Sequence, residues 1–328
     1  MNAKPLVLVT GATGFAGSHA ADLLIDRGYP VRVLVRRTSR LRWVRPEAEQ
    51  VVADVRDRES LRSAVRGARW VFHFGGLIRA RNRDEFFEAN AGGTRNLYDV
   101  FREDGHPELF LFCSTLAAVG PGGPGQSLKE TDPAHPVTDY GASKRAAEQA
   151  LLEETVREGA PRVLILRPPA VYGPRDESIV TFVRVLKTGW VPLPAPPEAR
   201  VAVIHAEDLA AGALHLAERG GDGIFHLSDG EGYAWRDLAR ILAEAMGLRP
   251  RYIRIPLWVS RAAALLTEAA GRWSGRPALL TRGKLTELIQ MSWVPDIGKA
   301  EGAGYRPMWD AQGGLRMTLD WYRESGWI

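Results

Sequence analysis

Three glycines spaced three residues apart, in Gly11-Ala-Thr-Gly14-Phe-Ala-Gly17, leave this chain few folds to choose from, because of what flanks them. Residues 6–10 before them form a short apolar run, and after them Ala16, Ala20, Leu23 and Leu24 recur at helical spacing. The pattern predicts a strand that passes through a tight turn directly into a helix. The first glycine permits the turn, the second lets the backbone approach a pyrophosphate, and the third lets the helix pack close to the sheet. The free N–H groups at the helix start then favour an anion.

The same alternation continues downstream. Strands are predicted at 31–35, 50–53, 70–74, 109–113 and 162–167, with helices beginning near Asp57 and spanning 85–101 and 143–158. Strands that alternate with helices predict an α/β fold with a doubly wound parallel sheet covered on both faces. From about Pro174 the regularity breaks, and Pro192-Leu-Pro-Ala-Pro-Pro197 reads as a loop. Residues 201–204 and 223–227 are expected to return to the sheet as strands. The expected division is a Rossmann-type dinucleotide-binding domain at 1–173, with 201–227 returning to it, and a smaller C-terminal substrate-binding lobe from 174–200 and 228–328. A chain of 328 residues is at the upper end of what one core serves, which also favours a second lobe.

Composition narrows the partners. The chain has 43 Lys and Arg against 39 Asp and Glu, scattered rather than gathered, so nucleic-acid binding is not expected. Cys113 is the single cysteine, which excludes an intramolecular disulfide and fits a reducing, cytoplasmic setting; its side chain reads as buried filler. The seven histidines lack metal-ligand spacing, so no catalytic metal is expected. The N-terminal residues do not read as a signal peptide, so secretion is not expected, and no apolar stretch approaches the ~20 residues of a membrane span. The run Ala262-Ala-Ala-Leu265-Leu266 reads as a buried helix, with an amphipathic helix on a membrane surface as the other reading.

Tyr140-Gly-Ala-Ser-Lys144 places a phenol and an ammonium four residues apart, on one face of a helix. A free tyrosine, with a pKa of ~10, exchanges protons poorly at neutral pH, and a nearby cation would favour the phenolate. That pairing suits a general acid in reduction and a general base in oxidation. Phe112-Cys-Ser114-Thr115, at the end of the preceding strand, offers two hydroxyls to stabilise charge on a substrate oxygen. His205 and Asp208 read as a helix cap.

Together these motifs resemble the extended branch of the short-chain dehydrogenase/reductase superfamily, across essentially the whole chain and more loosely after about residue 228. The resemblance implies a nicotinamide dinucleotide held by Gly11, Thr13, Gly14, Phe15 and Gly17, with Asp54 and Val55 near the adenine. Asp54 has a second reading, a local pair with Arg56. Arg36 and Arg37 stand where an acidic residue would bind the ribose of NAD; dihydroflavonol reductases of the family carry an arginine at the position of Arg36, which implies NADP, with NAD also possible. Gly75 and Gly76 match a stretch against the cofactor where the family usually has alanines, and a looser turn is expected. Lys144 would bind the nicotinamide ribose as well as tune Tyr140, and Arg167-Pro168-Pro-Ala-Val171-Tyr-Gly-Pro resembles the segment that passes the nicotinamide, which implicates Pro168 and Val171. Thr115 aligns with the catalytic serine, with Ser114 as the alternative hydroxyl, and Asn90 matches an asparagine that shapes the site.

The later segments, Ile255-Pro-Leu-Trp-Val-Ser-Arg and the Trp-containing end, look more like 3β-hydroxysteroid dehydrogenases and dihydroflavonol reductases than like sugar-nucleotide enzymes. The favoured expectation is an NAD(P)-dependent oxidoreductase acting on a hydrophobic secondary alcohol or ketone. The alternatives are a nucleotide-sugar epimerase or dehydratase and a non-catalytic NADP-sensing protein. A homodimer through the helices near Glu85 and Ser143 follows from the resemblance.

Overall fold

The computed structural model describes residues 3–193, 196–274 and 281–328. The first half of the chain runs through β1 (Val7–Thr10), α1 (Phe15–Asp26), β2 (Val31–Val35), β3 (Glu49–Val52), α2 (Arg58–Val65), β4 (Trp70–His73), α3 (Arg83–Phe86), α4 (Gly93–Asp104), β5 (Leu109–Cys113), α5 (Asp139–Glu154) and β6 (Arg162–Arg167). The main sheet has seven strands in the order β11-β6-β5-β4-β1-β2-β3, where β11 is Gly223–His226, and every pairing is parallel. Both faces are covered, so the inner strands β1, β4 and β5 are nearly continuous apolar runs. Val7, Val9, Val33, Phe72 and Leu111 face one layer, and Leu8, Val71, Phe110 and Phe112 face the other. This is the Rossmann-type fold expected from the alternation.

The strand order reverses between β1 and β4, the point at which a doubly wound sheet offers a crevice at the C-terminal ends of its strands. The candidate site residues described below lie on that edge.

The remaining elements are β7 (Ala170–Tyr172), α6 (Glu177–Lys187), β8 (Trp190–Leu193), β9 (Arg200–Val201), β10 (Val203–His205), α7 (Ala206–Glu218), β12 (Tyr233–Ala234), α8 (Trp235–Ala245), β13 (Arg251–Arg254), α9 (Leu257–Ser274), α10 (Arg282–Leu288), β14 (Ser292–Trp293), α11 (Gly298–Gly302) and α12 (Ala311–Glu324). Helix α7 lies beside α1 on the main sheet. A separate core forms where α6, α8 and α12 meet through Val183, Leu186, Leu242, Leu319 and Tyr322.

Several sequence expectations need correction. Residues 223–226 do join the main sheet, but 200–201 pair with β12 and β14, and 203–205 pair with β7, in small sheets of their own. The Pro-rich segment begins as strand, because β8 runs parallel to β13 through Leu193; residues 194–195 lie outside the described residues. Helix α5 starts four residues earlier than its apolar spacing suggests. The Thr138 hydroxyl caps it by accepting from the Gly141 N–H at 3.2 Å. The helix expected over 85–101 is present but passes through a π-helical stretch, Phe87–Gly92, between α3 and α4. Leu265 and Leu266, expected inside, are exposed. No helix among the described residues is long and apolar enough to cross a membrane.

Candidate active site

Strand β5 delivers Cys113, Ser114 and Thr115 to the open edge of the sheet, and α5 brings Tyr140 and Lys144 against them. Thr115 starts a short 3₁₀ turn, with its Oγ1 accepting from the Ala117 N–H at 3.2 Å, and its hydroxyl is on the side of the Tyr140 phenol, which it favours in the ionised form. Ser114 faces away from that pair: its buried hydroxyl donates to Glu148 Oε1 at 2.5 Å. The two hydroxyls, equivalent candidates in the sequence, are therefore separated by the alternation of side chains along an extended segment.

Lys144 is buried, its Nζ donating to the Cys113 carbonyl at 2.7 Å and lying 4.1 Å from the centre of the Phe112 ring. Asn90, inside the π-helical stretch, accepts from the Leu77 N–H at 2.7 Å and donates to the Leu77 carbonyl and the Ser143 hydroxyl, both at 3.0 Å. Asn90 thereby fixes the segment after β4 against α5. Between Asn90 and Lys144 sits Gly76, where a Cβ would stand 3.0 Å from Asn90 Oδ1 and 3.7 Å from Lys144 Nζ.

Burial sets the electrostatics. It pulls the Lys144 ammonium down to about 8, against the smaller opposing effects of Cys113 and Glu148. It pushes the Tyr140 phenol above its usual range, helped by Cys113 and Glu287, with the Thr115 hydrogen bond acting the other way. The expectation that a cation would favour the phenolate is thus corrected. The ammonium is turned to the Cys113 carbonyl, and desolvation of the phenol dominates. Cys113 contributes its carbonyl more than its side chain, whose thiol burial raises to about 11.

At the crevice, Gly11 adopts φ +78°, and a Cβ there would come within 2.7 Å of the Gly75 nitrogen. A Cβ on Gly17 would stand 2.4 Å from the Gly11 carbonyl oxygen, so the helix can approach the turn only as glycine. Helix α1 begins after Gly14 with no side-chain cap and no acid in its first turn, which leaves its N–H groups to an anion. Thr13 and Phe15 flank this opening, with the Phe15 ring edge-on to His19 at 5.8 Å. A cradle of this shape and chemistry fits a dinucleotide pyrophosphate.

Arg36 and Arg37, just past β2, are exposed and form no ion pair among the described residues. Asp54 is held by Arg56 through a two-pronged contact at 2.8 and 3.1 Å, which keeps its carboxyl below the usual range. Val55 is wedged against Gly93, and its carbonyl accepts from Asn96 at 3.1 Å. The turn at Gly75 is tight rather than loose. Its N–H donates to Thr10 Oγ1 at 3.1 Å, and an added Cβ would lie 2.9 Å from that oxygen. The Pro168 carbonyl accepts from the Leu116 N–H at 2.8 Å, and Val171 pairs with Ile204 across β7 and β10. His205 does cap α7, accepting from the Glu207 N–H at 3.3 Å, while Asp208 accepts from the Met308 and Trp309 N–H groups at 2.9 and 3.0 Å.

Three residues near the site were not singled out by sequence. Glu148 is fully buried and grips Arg167 at 2.7 and 2.9 Å. Its signal was the continuing four-residue spacing of Tyr140, Lys144 and Glu148. His73 bridges Thr10 and Thr94, 2.5 and 2.9 Å away, and burial lowers its pKa to about 3. Glu287, from α10, accepts from Thr138 at 3.1 Å and acts on the phenol, a long-range contact with no local signature.

A seven-stranded doubly wound sheet with a glycine cradle at its reversal and a Tyr-Lys pair beside it defines a dinucleotide-dependent oxidoreductase of the extended short-chain type. Residues 7–227 match the profile of the NAD dependent epimerase/dehydratase family, and the chain belongs to that family. It is similar to a ceramide reductase of Caulobacter vibrioides, at 34% identity over 100% of this chain and 97% of that protein. It also resembles human sterol-4-alpha-carboxylate 3-dehydrogenase, decarboxylating, at 28% identity over 76% of this chain and 69% of that one. Among solved structures, a Thermus thermophilus UDP-glucose 4-epimerase in complex with NAD superposes with a TM-score of 0.78 at 29% identity, covering 97% of this chain and 99% of that one.

Proposed function

We propose that this protein is an NADP-preferring oxidoreductase that interconverts a secondary alcohol and a ketone on a hydrophobic, lipid-like molecule. The observation that carries this reading is the grouping of Thr115, Tyr140 and Lys144 beside the glycine cradle. Gly11, Thr13, Gly14, Phe15 and Gly17 would hold the pyrophosphate, Gly75, Gly76, Asp54, Val55, Pro168 and Val171 would line the rest of the groove, and Arg36 and Arg37, without ion pairs among the described residues, would meet a 2′-phosphate. The dinucleotide, when bound, supplies or accepts the hydride. Thr115 donates a hydrogen bond to the substrate oxygen, and Tyr140 gives that oxygen a proton. A phenol kept protonated by burial suits ketone reduction. Lys144, held by the Cys113 carbonyl, offers its remaining N–H bonds to the cofactor ribose. The likeness to a ceramide reductase over the full length supports a lipid-like substrate.

Nicotinamide absorbance tests the proposal, with NADPH or NADH and, separately, a long-chain keto lipid, a 3-ketosteroid and UDP-glucose. Oxidation of NADPH by a hydrophobic ketone, lost by at least ~10²-fold in Tyr140→Phe with cofactor binding retained, is the expected result. Conversion of UDP-glucose with no net change in cofactor would replace it with the epimerase reading, which the T. thermophilus neighbour makes the natural second.

A further inference from the structure

Helix α9 is amphipathic with its faces reversed. The side turned to the protein carries Ser260, 4% exposed, Ala264, 0% exposed, and Thr267, whose hydroxyl donates back to the carbonyls of Ala263 and Ala264 at 3.0 and 3.1 Å. The side turned to solvent carries Trp258, Leu265 and Leu266, exposed by 73%, 52% and 71%, together with Ala262 and Ala269 at the same helical spacing. Burying small and hydroxyl residues while exposing a tryptophan and two leucines is not how a helix lies on its own protein's core. Exposed apolar residues continue in Leu257 and in Ile253 of β13, the strand that feeds α9.

The stretch of chain that carries this face is basic. Between Glu244 and Glu268 the chain holds four arginines, Arg249, Arg251, Arg254 and Arg261, and no carboxylate. Arg249, Arg254 and Arg261 have no acidic partner among the described residues, and Arg251 lies over the Trp190 ring at 5.4 Å. A tryptophan–leucine face on an arginine-rich stretch of chain without carboxylates is the chemistry of a helix that lies in the plane of an anionic membrane surface: rings and leucines among the acyl chains, guanidinium groups at the phosphates.

We infer that α9 attaches this protein peripherally to an anionic lipid bilayer. The helix is one element away from the candidate site, since Glu268 holds Arg282 of α10 at 2.9 Å and Glu287 of α10 holds Thr138 at the start of α5. Attachment through α9 therefore sets α10 and the approach to Tyr140 next to the lipid surface. The inference rests on the exposed face and does not require the lipid-substrate reading.

Flotation of the full-length protein with phosphatidylcholine vesicles, with and without phosphatidylglycerol, tests it in the absence of substrate. The expected result is binding to the anionic vesicles alone, weakened by salt, and at least ~tenfold weaker for the double variant Leu265→Glu, Leu266→Glu, whose NADPH affinity stays unchanged. Failure of the wild type to bind anionic vesicles, or equal binding by the variant, overturns the inference and leaves the redox reading intact. A lipid-free dimer that the double variant turns into a monomer in light scattering also overturns it, by assigning the face to a second copy of the chain.

Discussion

At the scale of single residues, the site depends on which way two neighbouring hydroxyls point. Thr115 meets the phenol and Ser114 meets Glu148, so their substitutions should fail differently. Thr115→Ala is expected to lower kcat by about 10²-fold with an unchanged melting temperature, and Thr115→Ser to retain most activity. Ser114→Ala is expected to cost about 1–3 kcal/mol in denaturant unfolding, because Glu148 loses a buried partner. Lys144 gives a pH signature with two opposed limbs. With its ammonium pulled down to about 8, it loses its proton as pH rises through that value, and kcat/KM should fall there; Lys144→Met should remove that limb. In the unfolded chain the same lysine titrates near ~10.4, so between about 8 and that value the unfolded state binds more protons and the fold gains stability as activity declines. The types and spacing of Tyr140, Lys144 and Thr115 were legible in the sequence. The reversal of the tyrosine's shift was not, because it depends first on how deeply the fold buries the phenol and then on Cys113 and on Glu287 from α10.

At the scale of elements, the long apolar strands were legible because both faces of a parallel sheet are buried, and β5 and β6 match the sequence reading residue for residue. The two-residue strands β9, β12 and β14 have no period to detect, which is why Val201 was assigned to the wrong sheet. The reversed polarity of α9 left its apolar residues looking like core. Helix α5 is tied to β6 by the buried pair of Glu148 and Arg167. Removing one partner strands the other charge, so Glu148→Gln should destabilise the protein by about 3–5 kcal/mol, seen as a lower denaturation midpoint. The reversal point between β1 and β4 allows no such latitude. Gly75→Ala should weaken dinucleotide binding in titration calorimetry, since the new Cβ would press on the Thr10 hydroxyl and the His73 ring beneath the Gly11 turn.

At the scale of the whole molecule, the segment after β2 is braced by residues far away in sequence. Trp43 packs against Trp321 and Trp327 at 6.0 and 6.3 Å between ring centres, and Arg42 lies 4.3 Å over Trp43. That segment begins at Arg36, so the brace stiffens the part of the groove proposed to read the 2′-phosphate. Trp327→Ala is expected to weaken NADPH binding several-fold in fluorescence titration while leaving the cofactor-saturated kcat unchanged, and to lower stability by about 1–3 kcal/mol. No local pattern in the sequence announces a contact across so many residues.

The π-helical stretch at Phe87–Gly92 is a defect that the molecule keeps. Such a stretch amounts to one residue too many for a regular helix. Trimming a single residue between 87 and 92 would let α3 and α4 heal into one uninterrupted rod with better backbone bonding. The same repair would rotate α3 by roughly 100° relative to α4, one residue's share of a helical turn, and carry Asn90 away from either Leu77 or Ser143. A more regular helix and a correctly shaped site are therefore alternatives here, and a protein engineered only for regularity at this point would lose the anchor for the residues beside Lys144.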